Sequence, residues 1–234
     1  MRKIRDLLIL YFFILISSIT FSQENDKNLA LWNSIGVKYS PIKKLKIGLE
    51  QHLRLKENAS VTDEYFTELS LEYKLLKDLE IGVGVRFIKE NDNVGKKQGY
   101  EKHFRYNFDV SFKHDIKRFV VSYRFRYQNK KELDLLKADE SLPKENVRFK
   151  TSLEYNIRKW PLDPELSIEG FSDLLDIRQV RDLGLNKYRV TFGTDYSLKK
   201  FGKFGVYYRF QENINSNLTN KKTKIIGLKY SYSI

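Results

Sequence analysis

The chain contains no cysteine, a single methionine, four prolines and two tryptophans among 234 residues. The absence of cysteine excludes a disulfide framework, thiolate metal sites and lipid attachment through an N-terminal cysteine. Histidine is scarce as well: His52, His103 and His114 are the whole supply of imidazole. No serine elbow and no HExxH helix accompanies them, so the hydrolase patterns built on those motifs are missing. No Gly-rich loop or recognition helix points to nucleic acid. Beyond the N-terminus no apolar run is long enough for a spanning helix. A hydrophobic content of 41% and a mean hydropathy of −0.52 would suit a soluble protein. A membrane barrel has the same average, because it shows lipid only alternate residues.

The apolar run that does exist has the form of an export signal. Arg2, Lys3 and Arg5 give a basic start, residues 7–16 are apolar, and Thr20 and Ser22 are small residues placed for cleavage before Gln23. A membrane anchor is disfavoured because the apolar core is short and polar residues follow at once. The expected organisation is a cleaved signal peptide over residues 1–22 and one domain over residues 23–234. Net charge is +13, and cleavage removes three basic residues and one acidic one, leaving +11. In an exported protein this surplus points to outer-membrane lipid and lipopolysaccharide phosphates or to polyanionic solutes, with a merely solvated surface as the bland reading. No cofactor is implied.

What the chain has in quantity is alternation. In residues 104–128, Phe104, Tyr106, Phe108, Val110 and Phe112 alternate with polar residues, and after residues 113–118 Phe119, Val121, Tyr123, Phe125 and Tyr127 do so again. Strand side chains point to opposite faces in turn, so this stretch predicts a hairpin with one aromatic and one charged face. Eleven segments follow that rule, near 29–39, 45–55, 65–75, 79–87, 104–112, 119–127, 147–157, 166–171, 188–198, 204–210 and 226–234. The first is the least regular, because Asn33 falls on its apolar phase. Most are roughly the length a tilted membrane strand needs.

The connections alternate between short (near 40–44, 76–78, 113–118, 158–164 and 199–203) and long (near 56–63, 88–99, 129–146, 172–186 and 212–222). A helical turn is expected near 132–137, and apolar residues at helical spacing run through 172–186. The expected fold is an all-β, antiparallel up-and-down transmembrane barrel with short periplasmic turns and long external loops. An odd strand count would start the chain on the outside. The preferred number is therefore ten, with an irregular N-terminal piece, and twelve is the alternative.

Two aromatic bands mark the expected lipid-facing rims: Tyr39, Tyr73, Phe112, Phe119, Trp160, Tyr196 and Tyr232 toward the short turns, and Tyr65, Phe87, Phe104, Tyr127, Tyr188 and Phe210 toward the long loops. The opposite phase predicts lumen charges at Glu50, Glu68, Glu72, Glu80, Arg86, Arg105, Asp109, Arg124, Arg126, Arg148, Glu154, Glu169, Arg189 and Arg209. Paired Arg and Glu would form a salt-bridged plug, and the Arg excess leaves a narrow anion path as the alternative. Two other classes stay open. A soluble periplasmic lipocalin-like barrel would alternate in the same way. A lipid or peptide hydrolase at the external rim would use Glu-x-His pairs, His52 with Glu50 and His103 with Glu101.

Several motifs carry a family resemblance: the LW at Leu31 and Trp32, LEQHLRL at 49–55, YFTELSLEYKL at 65–75, VGVRF at 83–87, YRVTFGTDYSL at 188–198 and VYYRFQ at 206–211. In these the chain resembles DUF2490, a family of uncharacterised outer-membrane barrels. The resemblance covers most of the mature chain and implies architecture, an outer-membrane site and passage through the barrel-insertion machinery, but carries no catalytic residues. One departure from barrels generally is Ile234 where an aromatic is usual.

Overall fold

A computed structural model of the protein describes residues 28–92, 99–133, 143–158, 160–174, 184–214 and 221–234. Residues 1–22, and more than half of the two stretches with helical expectations, lie outside them. Eleven strands run in order: β1 (Leu29–Ile42), β2 (Leu45–Lys56), β3 (Val61–Lys74), β4 (Leu79–Asp92), β5 (Gly99–Ile116), β6 (Phe119–Glu132), β7 (Lys144–Tyr155), β8 (Leu162–Asp173), β9 (Lys187–Ser197), β10 (Lys203–Asn213) and β11 (Lys221–Ser233). Each pairs antiparallel with its neighbours in sequence, and the sheet closes into a barrel where β1 meets β11 in parallel.

The strand count is thus eleven, neither ten nor twelve, and the closing pair departs from the all-antiparallel expectation. Parity favoured ten because an odd count would start the chain at the rim opposite its C-terminus, which is the arrangement found. A parallel seam closes an odd number, although bacterial single-chain barrels usually have an even one. The 29–39 segment is an ordinary strand of 14 residues. Its irregular Asn33 lies in register between Leu53 on β2 and Leu228 on β11. The two ends of the sheet consequently sit at opposite rims. Leu29 accepts from Asn58 N at 2.8 Å at the β2–β3 turn, whereas Ile234 N donates to Lys38 O at 2.8 Å near the β1–β2 turn.

Several connections are shorter than expected. The "long" one at 56–63 is four residues, 57–60, in which Glu57, Asn58 and Ala59 hold φ of 53°, 59° and 62°. Such left-handed non-glycine residues cost about 1 kcal/mol each, and Asn58 offsets part of this by accepting from Leu29 N through Oδ1 at 3.3 Å. The β5–β6 turn is residues 117–118, with Lys117 at φ 57°. Pro164, expected in a rigid connection, lies inside β8. There β8 is paired to β9 but has not yet reached Glu165, its first residue paired to β7, so the missing N–H breaks no ladder on that side. The common cause is that a hydrogen-bond ladder does not require apolar side chains. Thr62, Asp63, Lys89 and Glu90 continue strands whose apolar alternation has ended.

The polarity is inverted relative to a soluble protein. Among the described residues, five hydrophobic side chains are buried and ten polar or charged ones are. Phe87, Phe108, Phe149 and Phe192 are 54–61% exposed, while Arg105, Arg126, Arg148 and Glu169 are 6–9% exposed. Inward positions hold the site described next. Tyr207, for example, stands between Gly193 on β9 and Gly227 on β11. A Cβ at Gly227 would overlap the Tyr207 ring, so glycine there is what lets the phenol cross the interior.

Candidate functional site

Period-two alternation on eleven strands aims every second side chain inward, and these side chains enclose a cavity of about 480 Å³. All eleven strands contribute to its wall, for example Trp32 from β1, Glu64 from β3, Arg105 from β5, Glu169 from β8 and Lys229 from β11, which places it inside the barrel. A smaller cavity of about 230 Å³ adjoins it toward the short-turn rim and shares Lys150, Tyr207, Arg209 and Lys229.

The two differ in charge. Four cations and four carboxylates line the smaller one. The larger is lined by twelve Arg and Lys side chains and three carboxylates, Glu50, Glu64 and Glu169. Carboxylates set just behind the wall reduce this surplus: Glu68 pairs with Arg86, and Asp109 takes Arg126 in a bidentate grip with both bonds at 2.6 Å. Glu90 pairs with Lys130, Glu165 with Lys150 at 3.1 Å and Asp195 with Lys229 at 2.7 Å. Arg54 pairs with Glu64. Even with these five counted, the cations around the cavity exceed the carboxylates by four.

The surplus is concentrated around Glu169. Its carboxylate accepts from Arg148 at 2.7 Å and Arg124 at 2.9 Å and lies 3.7 Å from Arg189. Arg189 also donates through Nε to Gln211 Oε1 at 2.8 Å, and Arg209 donates to Thr191 Oγ1 at 2.8 Å. Arg105 is directly opposite Arg86 in the β4–β5 register, and Arg126 is opposite Arg148. Like charges facing across a ladder repel. Glu68 answers Arg86, but Arg105 has no ion pair among the described residues, and its Nε and Nη2 are buried without a hydrogen-bond partner. Beside these groups Trp32 is an aromatic platform, with Arg54 3.8 Å and Arg189 and Arg209 each 5.2 Å from its ring centre.

Of the side chains assigned to the lumen from sequence, Glu50, Arg86, Arg105, Arg124, Arg126, Arg148, Glu169, Arg189 and Arg209 line the larger cavity. Glu68 and Asp109 brace it through their Arg partners. Glu154 lines the smaller cavity. Glu72 and Glu80 do not join the cluster; both face Lys46 nearer the short-turn rim, at 3.7 and 2.8 Å. Sequence reasoning missed Trp32, Arg54, Glu64, Lys130 and Lys187. All lie on the inward phase: Trp32 in the irregular first strand, Arg54 on the charged phase of 45–55 without being singled out, and Glu64, Lys130 and Lys187 just past the apolar stretch of another. Continuing the phase two residues beyond Gln128, or two before Phe66, would have found Lys130 and Glu64.

Each of the three histidines has close neighbours. His52 Nε2 lies 3.1 Å from Glu50 Oε2, and its ring stacks on Phe66 at 4.3 Å. His103 Nε2 is 3.3 Å from Glu90 and 3.4 Å from Glu101, close enough for charge attraction but not aligned for a hydrogen bond. His114 stacks on Phe112, near the short-turn rim, at 6.4 Å. Among the described residues no three His, Cys, Asp or Glu side chains form a metal-binding group.

The class these features define is a closed all-β barrel of eleven strands with polar groups packed inside and large apolar side chains outside. Within that class the chain belongs to DUF2490, a family of proteins of unknown function whose model matches residues 29–222. That match bears out the resemblance carried by the motifs above. No curated protein matches the chain.

Proposed function

We propose that this barrel is an outer-membrane protein of a two-membrane bacterium, exported through a cleaved signal at residues 1–22, with a narrow ion-paired lumen that serves a structural, interaction or narrow-channel role. The observation that carries this reading is the inverted polarity: Phe87, Phe108, Phe149 and Phe192 face outward while Arg105, Arg126, Arg148 and Glu169 are buried. A soluble lipocalin-like barrel has the reverse arrangement, because its apolar face lines the ligand cavity. An outward apolar surface covering all strands is stable in hydrocarbon and costly in water. On β5 the outward apolar residues run from Phe104 to Phe112, eight steps or about 26 Å of strand, and a tilt of 35–45° turns that into roughly 20 Å of membrane normal. Ring pairs support both rims: Phe119 with Tyr155 at 4.8 Å on the short-turn side, and Tyr65 with Tyr100 at 5.8 Å and Tyr188 with Phe210 at 6.2 Å on the other.

In this reading the short turns and the C-terminal end of β11 face the periplasm, and Leu29 stands at the external rim. Lipid and lipopolysaccharide surround the wall, the barrel-insertion machinery assembles it, and nucleic acid has no part. The test is fractionation of the expressing cell together with migration on unheated and heated SDS gels. Recovery in the outer membrane with a heat-dependent shift is expected. A soluble periplasmic monomer with no shift would refute the membrane assignment.

A further inference from the structure

Lumen cations usually come with enough carboxylate to neutralise them, because an unpaired buried charge is expensive. Here the compensation is uneven around the larger cavity. Arg86, Arg126 and Arg54 each have a carboxylate of their own. Arg124, Arg148 and Arg189 share one. Arg105, 8% exposed, has none among the described residues and keeps Nε and Nη2 unbonded. Arg148 Nε and Arg124 Nε are buried without partners too. The residues that carry them line a cavity of about 480 Å³, within the size range of small-molecule sites. Guanidinium forks match the oxygens of phosphate and related oxyanions two at a time. Such an anion would offset the excess charge that the surrounding carboxylates leave.

We infer that the larger cavity is a binding site for a small, multiply charged oxyanion of the phosphate class, held by Arg105 and by the guanidinia gathered around Glu169. The inference rests on the reading of the interior as a lumen and goes beyond it by naming what the lumen takes. A soluble solute is the source that fits, since all eleven strands wall the cavity off from the lipid outside. The balanced smaller cavity below has no such surplus, so the anion is retained in the upper chamber.

Trp32 provides the reporter, because two of the surplus arginines, Arg189 and Arg209, flank its ring. The experiment uses the full barrel purified in a maltoside micelle, which carries no phosphate, with Trp160→Phe so that Trp32 is the sole indole. Titration with pyrophosphate at constant ionic strength should change Trp32 fluorescence saturably, and sodium chloride at the same ionic strength should not. Arg105→Gln should weaken the midpoint at least tenfold, and Arg209→Gln serves if Arg105→Gln does not fold. Arg118→Gln, in the β5–β6 turn, should titrate like the parent. A response that follows ionic strength alone, or an Arg105→Gln protein with unchanged affinity, overturns the site. So does a response to phosphatidate in the micelle with none to pyrophosphate. Failure here leaves the heat-dependent gel shift intact. Saturable pyrophosphate binding by a soluble, unshifted protein would instead sink the membrane reading and leave the site standing.

Discussion

Glu169→Gln is the most informative single change in the barrel. The carboxylate is 6% exposed and lies within 2.7, 2.9 and 3.7 Å of three guanidinia. Glutamine keeps its shape, and the remaining carbonyl oxygen can still accept from Arg148 and Arg124. The amide nitrogen then stands where Oε2 faced Arg189, a donor against a donor. The main loss is charge, and removing one partner of a buried ion pair costs about 3–5 kcal/mol, roughly two to nearly four orders of magnitude in the unfolding equilibrium. Glu80→Gln is the scale marker. Its pair with Lys46 is 2.8 Å long, but the side chains are 28% and 46% exposed, so the expected loss is below about 1 kcal/mol. Arg105→Gln tests the sign: removing an uncompensated buried cation should leave phosphate-free stability unchanged or raised. The assay is urea unfolding in vesicles of uncharged lipid, followed by Trp fluorescence and by the fraction of heat-modifiable protein. Pyrophosphate should stabilise the parent and have much less effect on Arg105→Gln. If Glu169→Gln lies within about 1 kcal/mol of the parent, like Glu80→Gln, water screens the cluster and the dry, ion-paired interior is refuted.

Two further outcomes are expected. The cysteine-free chain suits a cross-link at the seam: Asn33→Cys with Leu228→Cys, in register across β1 and β11, should oxidise to a disulfide and lock the barrel closed, whereas Leu29→Cys with Tyr232→Cys, near one another only if the seam were antiparallel, should not. A cross-link by the second pair and not the first would overturn the topology. In planar bilayers the parent should show little or no conductance, because pairs such as Arg126 with Asp109 and Arg148 with Glu169 fill the lumen; a large stable anion current would refute a constricted interior.

The residues explain which parts of this structure could be read in advance. Which residues share a face on β5 and β6 was legible because Phe104, Phe108, Tyr123 and Phe125 fall on one phase and Arg105, Asp109, Arg124 and Arg126 on the other. Strand ends were not. The backbone ladder runs on through Glu64 and Lys89 as it does through Leu69, so polarity marks where the apolar band stops and not where pairing stops. Partner choice was also hidden. Glu169 lies opposite Lys150 and Arg189 in register, yet it takes Arg148 and Arg124 as hydrogen-bond donors, because long side chains reach diagonally across an enclosed space. Parity misled for a different reason: an odd count does put the two ends of the sheet at opposite rims, but alternation along the strands gives no ground for rejecting that arrangement.

The strand count and the site turn out to be one question. In a ten-strand barrel without β1, the seam would join β2 to β11 and Trp32 would have no place in the wall. With β1 inserted, Trp32 reaches Arg54 on one side of the seam and Arg189 and Arg209 on the other, contacts worth about 0.5–2 kcal/mol each depending on desolvation. A parallel pairing is slightly weaker per residue than an antiparallel one. The indole compensates from inside by tying β9 and β10 to β1 and β2 across the joint. Two of the guanidinia it uses, Arg189 and Arg209, belong to the charge surplus, so the irregular first strand both completes the wall and supplies the aromatic face of the cation-rich chamber.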